Sequence, residues 1–150
     1  MSPAELEHYL HEHIPISKAI GMSVVSAKTD TAVLRAPLAP NINHRETVFG
    51  GSASMLAILA AWSLLHVRLR EEAVACRLVI QRNTMEYTMA ITGEFTARSS
   101  LDSSATWSRF IRTLERRGKA RIAVTCMLEC EGQLVGRLSG EFVALGMRGS

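Results

Sequence analysis

The sequence predicts a mixed α+β domain in which an antiparallel sheet wraps around one long central helix. Three observations carry this expectation. Residues 47 to 67 hold no charged side chain, a run too long for a strand and suited to a helix buried on nearly all sides. Segments with strand character stand before and after it. The last two of them are separated only by E-G-Q, a hairpin signal that demands antiparallel neighbours.

Taken in order, residues 4 to 13 (A-E-L-E-H-Y-L-H-E-H) read as a short amphipathic helix with Leu6, Tyr9 and Leu10 on one side, ended by Pro15. Residues 21 to 28 and 31 to 38 form a strand pair split by T-D-T, and Pro37 and Pro40 close the second strand and open a loop. The long helix spans about 52 to 70. Strands follow at 76 to 87, 93 to 99, 119 to 130 and 133 to 145. Ile122, Val124, Cys126, Leu128 and Cys130 share one face of the third of these, by strict alternation. Residues 106 to 117 place Trp107, Phe110, Ile111 and Leu114 at helical spacing, so a second helix bridges two strands.

Bulk properties narrow the function classes. The 150 residues are expected to form one domain, 1 to 150, and a chain of this length buries about 70% of its unfolded surface. With 47% hydrophobic and 21% charged residues the composition is that of an ordinary globule. A formal charge of +3, without aromatic residues interleaved among the basic ones, argues against nucleic acid as a partner. The one dense basic cluster, R-R-G-K-A-R at 116 to 121, suits an acidic protein or a phosphorylated ligand, or is a solvated strand end.

Three cysteines are an odd number, and Cys126 and Cys130, about 13 Å apart on one strand, cannot pair. A reducing cytoplasm is expected. The polar, acidic start M-S-P-A-E-L-E-H lacks the character of a signal peptide. The uncharged stretch is 21 residues long, enough for a membrane span, but Gly50, Gly51, four hydroxyl residues and His66 inside it favour a core helix and no membrane partner. His8, His11 and His13 lack a shared face and a completing ligand, so no metal site is expected.

The chemistry-bearing stretch is Asn43 to Ser52, N-H-R-E-T-V-F-G-G-S, at the start of the long helix. Paired glycines let a ligand approach the backbone closely. The helix behind them offers unpaired N–H groups at its positive dipole end, which attract anions and polarise carbonyls.

This stretch, N-x5-F-G-G-S, resembles the N-x5-H-G-G opening of the central helix in hotdog acyl-thioesterases, and the layout of nearly the whole chain is similar to that fold. Residues 85 to 98 and 117 to 142 resemble its crossing strand and closing hairpin. N-x-N-x3-T-V-F-G-G-S from Asn41, with the following A-A-W, is most similar to the malonyl-acyl carrier protein decarboxylases, a family formerly labelled putative thioesterases. The resemblance implies Asn43 as the catalytic residue, with Gly50 and Gly51 as backbone donors to the thioester carbonyl. It places Asn41, Thr47, Phe49, Ser52 and Ile58 around the substrate, and Gln81, Arg82 and Asn83 in a neighbouring subunit's groove.

Two departures from the thioesterase pattern matter: Phe49 stands where it has histidine, and Ile58 where it has the helix aspartate. Hydrolysis needs a nucleophilic carboxylate or a base. Decarboxylation of a malonyl thioester needs chiefly an oxyanion hole for the enolate, which Asn43 and the Gly51 N–H would supply. The expected function is therefore conversion of malonyl-acyl carrier protein, or malonyl-coenzyme A, to the acetyl thioester in the initiation of fatty acid synthesis. A thioesterase using Glu46, Asp102 or a second subunit's carboxylate is the alternative, and a non-catalytic acyl-carrier-binding module the third. No cofactor beyond the substrate's phosphopantetheine is implied. Arg82, Arg116, Arg117 and Lys119 are expected to meet the carrier or its phosphate. Open sheet edges lead to the expectation of a homodimer or a dimer of dimers.

Overall fold

The computed structural model describes residues 1–101 and 103–147. Helix α1 (Pro3–His13) begins with a capping box: the Ser2 hydroxyl accepts from the Glu5 N–H at 3.1 Å, and the Glu5 carboxylate accepts from the Ser2 N–H at 2.9 Å. Pro15, expected only to end this helix, also starts α2 (Pro15–Ala19). Its missing N–H costs nothing at the first helical position, which explains both roles. Gly21 then turns the chain at φ +72° into β1 (Ser23–Ala27), two residues later than the pattern predicts.

Strand β2 (Thr31–Ala36) leads to a short 3-10 turn, Ala39–Asn41, and to helix α3 (Gly50–Glu71). Then come β3 (Cys76–Tyr87), β4 (Phe95–Ser100), α4 (Ser104–Arg117), β5 (Lys119–Cys130) and β6 (Gln133–Gly146). Helix α4 is capped by the Ser103 hydroxyl and ends at Gly118 in the left-handed conformation, φ +71°. The β5–β6 hairpin turns through Glu131 and Gly132 at φ 51° and 77°, the pair of positive angles that the sheet's twist favours.

The six strands form one antiparallel sheet in the order β1-β2-β4-β5-β6-β3, and its concave side wraps α3. This is the hotdog fold. Bulges after Val24, Ile80 and Leu128 supply local bends. The first half of α3 buries Leu56, Ala57 and Ala60 against Leu6, Leu34, Phe95 and Leu138. Its second half buries Ala61, Leu64 and Leu65 against Trp107, Phe110, Ile122 and Phe142. Each such leucine is worth about 1.5–3 kcal/mol when buried. The alanines let the sheet come close, and at one such point the Ser99 hydroxyl donates to the Ala60 carbonyl at 2.7 Å. Helix α3 has the length and apolarity of a membrane span, yet 67% of its most apolar window is buried in this core.

Candidate acyl-thioester site

The loop between β2 and α3 is held by two asparagines. Asn41 is 2% exposed, and its amide donates to the Ile20 carbonyl at 2.9 Å and the Pro37 carbonyl at 2.8 Å. Its own carbonyl accepts from the Phe49 N–H at 2.7 Å, tying the loop's two ends together. Asn43 organises the tip. Its Oδ1 accepts from the Arg45 N–H at 2.9 Å, the Thr47 N–H at 3.1 Å and the Thr47 hydroxyl at 3.2 Å. Its Nδ2 donates to Thr47 Oγ1 at 3.0 Å and to the Val48 carbonyl at 3.4 Å, the longest and weakest of the set.

Helix α3 then starts without a side-chain cap. Phe49 occupies the N-cap position, where serine, threonine, asparagine or aspartate would accept from the first turn, and a phenyl ring accepts nothing. The Phe49 carbonyl takes the N–H groups of Ser52 and Ala53 at 2.9 and 3.1 Å. Among the described residues nothing accepts from the N–H of Gly50 or Gly51. Two backbone donors at a positive helix end are thus left for a ligand oxygen. A Cβ added at Gly51 would lie 2.4 Å from the Phe49 ring, so glycine lets that exposed ring lie against the helix start. The Phe49 ring itself is 59% exposed at the mouth.

From Gly51 a groove of about 420 Å3 follows one side of α3 past Ser54, Met55, Ile58 and Leu59 to Trp62, with Ile80 and Phe142 as its sheet wall and Ile14 and Ile16 of the α2 region over it. No titratable side chain lines it. Trp62 closes the far end, pinned by its Nε1–H donating to the Leu78 carbonyl at 3.0 Å. Behind it lies a second cavity of about 360 Å3 with Tyr9, His66, Arg70 and Cys76 in its wall. His66 forms a three-ring cluster with Trp62 and Tyr9, its ring centroid 4.6 and 4.7 Å from theirs, which are 6.3 Å from each other. Burial first, then the Arg70 and His13 charges, hold its pKa down at about 4.

The family described as "Putative thioesterase (yiiD_Cterm)" matches residues 3–146. The chain belongs to this family. A protein of unknown function from Chlorobaculum tepidum TLS is 30% identical, with 97% of this chain and 98% of that one covered and a TM-score of 0.90. A putative thioesterase from Shewanella oneidensis is 24% identical over 95% and 96% of the two chains, TM-score 0.84. A thioesterase from Haemophilus influenzae, 11% identical over 97% and 92%, shares the hotdog fold at a TM-score of 0.77.

In this yiiD-type chain the predicted site residues fall into three groups. Gly51 and Ile58 line the groove, the Phe49 ring lies against Gly51 and Gly50 faces Tyr87, with Asn43 and Thr47 in the loop that leads to them. Asn41 and Ser52 are buried in the scaffold of that loop and helix. Gln81 is the extra residue of the β3 bulge, and Arg82, paired with Glu141 at 3.9 Å, lies on the convex side of the sheet, away from α3. Asn83 stands opposite Gly140, on the α3 side of the same strand. Arg116, Arg117 and Lys119 cluster at the junction of α4 and β5, beside the C-terminal half of α3 rather than its mouth. Glu46 is exposed in the loop, at φ 62°, and does not line the groove. Asp102 lies outside the described residues.

Two site features had no sequence signal. The Tyr87 hydroxyl donates to the Gly50 carbonyl at 2.9 Å, joining the end of β3 to the start of α3. Trp62 separates two cavities. Both depend on the distance between a helix and a strand, which no local spacing encodes.

Proposed function

We propose that this yiiD-family chain binds an acyl thioester at the mouth of α3 and decarboxylates malonyl thioesters. The observation that carries the reading is the combination at Gly51: an uncapped helix start, with Gly51 itself in the wall of a groove that has no acid or base in it. The thioester carbonyl accepts from the N–H groups of that helix start, and the Asn43 amide exchanges its long bond to Val48 for the same oxygen. Cleavage of the bond between the α-carbon and the carboxylate releases CO2 and leaves its electron pair as an enolate on the thioester oxygen. A proton from water then gives the acetyl thioester. A fixed donor of this kind typically contributes about 3 kcal/mol to the transition state. The apolar surroundings of Phe49 and Ile58 favour loss of the charged carboxylate over its retention.

Hydrolysis is the second reading, favoured by the family's description as putative thioesterases and by the thioesterase named among its structural neighbours. The size of the groove supports it too, since about 420 Å3 of apolar space suits an acyl chain longer than malonyl. A base for it would come from Glu46 or from a second subunit.

That second subunit belongs to the proposal. Strand β3 is a free sheet edge 12 residues long, and Met55, Ile58 and Trp62 stay half-exposed beside it. A second copy pairing along β3 covers both.

The test is turnover of malonyl and of dodecanoyl thioesters, following acetyl thioester and free thiol separately. Decarboxylation yields acetyl thioester with no thiol, and Glu46→Gln leaves it unchanged. Release of thiol from the dodecanoyl substrate, abolished by Glu46→Gln, would establish the hydrolase instead.

A further inference from the structure

The exposed side of α4 carries Arg109, Arg112 and Arg116 at helical spacing, with Arg117 and Lys119 continuing the line. The opposite side of the helix, Trp107, Phe110 and Leu114, is buried in the core, so this is a rigid ridge and not a mobile tail. Its arginines line a shallow depression of about 450 Å3. Among the described residues none of the five enters an ion pair. Arg109 and Arg116, seven residues apart, span about 10 Å along the helix axis. That length fits an acidic helix or strip on a protein better than a single phosphate.

The ridge is on the wrong end of its own chain. Arg116 shares a cleft with Val74 and Ala75, which immediately precede β3. The mouth at Gly50 is bonded to Tyr87, the last residue of β3. Twelve residues of strand put these two ends about 36 Å apart. The mouth's own loop sets exposed Arg45 beside exposed Glu46, so it offers an acidic partner no concentrated positive surface.

Two copies joined along β3 resolve this. A two-fold axis makes the paired strands antiparallel, and with the pairing centred near the Gln81 bulge, Cys76 of one protomer faces the partner's Tyr87. The α4 helix and the α3 mouth both sit on the concave side of the sheet. We infer that the α4 ridge of one protomer docks an acidic carrier protein for the mouth of its partner, so that a productive site takes Arg109, Arg112 and Arg116 from one chain and Gly51 from the other. This rests on the acyl-thioester reading and on the β3 dimer.

The experiment uses heterodimers assembled from a tagged chain bearing Arg109→Glu, Arg112→Glu and Arg116→Glu and an untagged chain with the ridge intact. The probe is a small acidic acyl carrier protein whose phosphopantetheine bears a photoreactive acyl group. Docking in trans puts the cross-link on the tagged, ridge-reversed chain near Gly51, at least five times more often than on its partner. A cross-link mainly on the ridge-intact chain overturns the proposal. So does labelling as weak as that of the doubly reversed homodimer's background in wild type, or a wild-type chain that is monomeric. If ridge reversal instead weakens labelling by the corresponding photoreactive coenzyme A thioester equally, the ridge reads a phosphate and the carrier assignment fails. Cross-linking needs no turnover, so an inactive wild type would sink the proposed reaction while leaving the docking geometry to be read.

Discussion

The hydroxyl of Tyr87 donates to the carbonyl of Gly50 at 2.9 Å, fastening the last residue of β3 to the first residue of α3. The uncapped N–H groups of that helix therefore face a direction set by a free edge strand. Tyr87→Phe removes the bond and keeps the ring. Because Tyr87 is 54% exposed, its stability cost is about 1 kcal/mol at most, or about 2 to 4 °C in melting temperature. Turnover should fall several-fold at nearly unchanged KM, as expected for a group that orients the oxyanion donors. A Tyr87→Phe protein with wild-type kcat would show that the tether is merely structural.

Asn43 gives a cleaner test than its sequence position alone suggested. Asn43→Ala loses the acceptor that holds the Arg45 and Thr47 N–H groups, so it disturbs the loop as well as any donor. Asn43→Asp keeps those acceptor bonds and loses only Nδ2, placing an anion where the proposed mechanism puts the enolate oxygen. Turnover of malonyl thioester should drop about a hundredfold or more in Asn43→Asp, with a melting temperature close to wild type. Full activity in that variant would remove Asn43 from the mechanism.

Gly51→Ala places a methyl group 2.4 Å from the Phe49 ring, which must swing outward. The backbone of α3 tolerates alanine, so folding survives. The expected result is a loss of at least tenfold in kcat/KM, partly restored by adding Phe49→Ala. Absence of any effect in a crystal-verified Gly51→Ala would show that the Phe49 ring plays no part at the mouth.

His66 makes stability depend on pH with a definite sign. Its folded pKa of about 4 lies below the ordinary 6.5, so the unfolded chain takes up the proton first as the medium is acidified. The contribution is complete above about pH 6.5 and is lost as the pH falls toward 4. His66→Phe should flatten the melting temperature between those values relative to wild type. Parallel curves for the two proteins would contradict the burial of a neutral imidazole.

Strand β3 of Cys76–Tyr87, the β5–β6 hairpin and the helix of 106 to 117 were legible because alternation, turn residues and 3.6-residue spacing are local properties of the chain. The long helix was legible too, but its start was read at Ser52, two residues late, because glycines ordinarily stand outside a helix and only the structure shows Gly50 and Gly51 as its first turn. By itself, then, the sequence determined the six strands and the three longer helices, though not α2 or the 3-10 turn, and with them the apolar character of α3 and the missing acid at Ile58. Tertiary structure alone decided that Asn41 is buried while Asn43 sits at the loop tip, that Tyr87 reaches Gly50, and that Trp62 rather than the sheet closes the groove. It also decided that the basic ridge and the mouth occupy opposite ends of one strand. Each of these depends on distances between residues tens of positions apart, and such distances come from how twelve-residue strands bend around a 22-residue helix, not from any pattern along the chain.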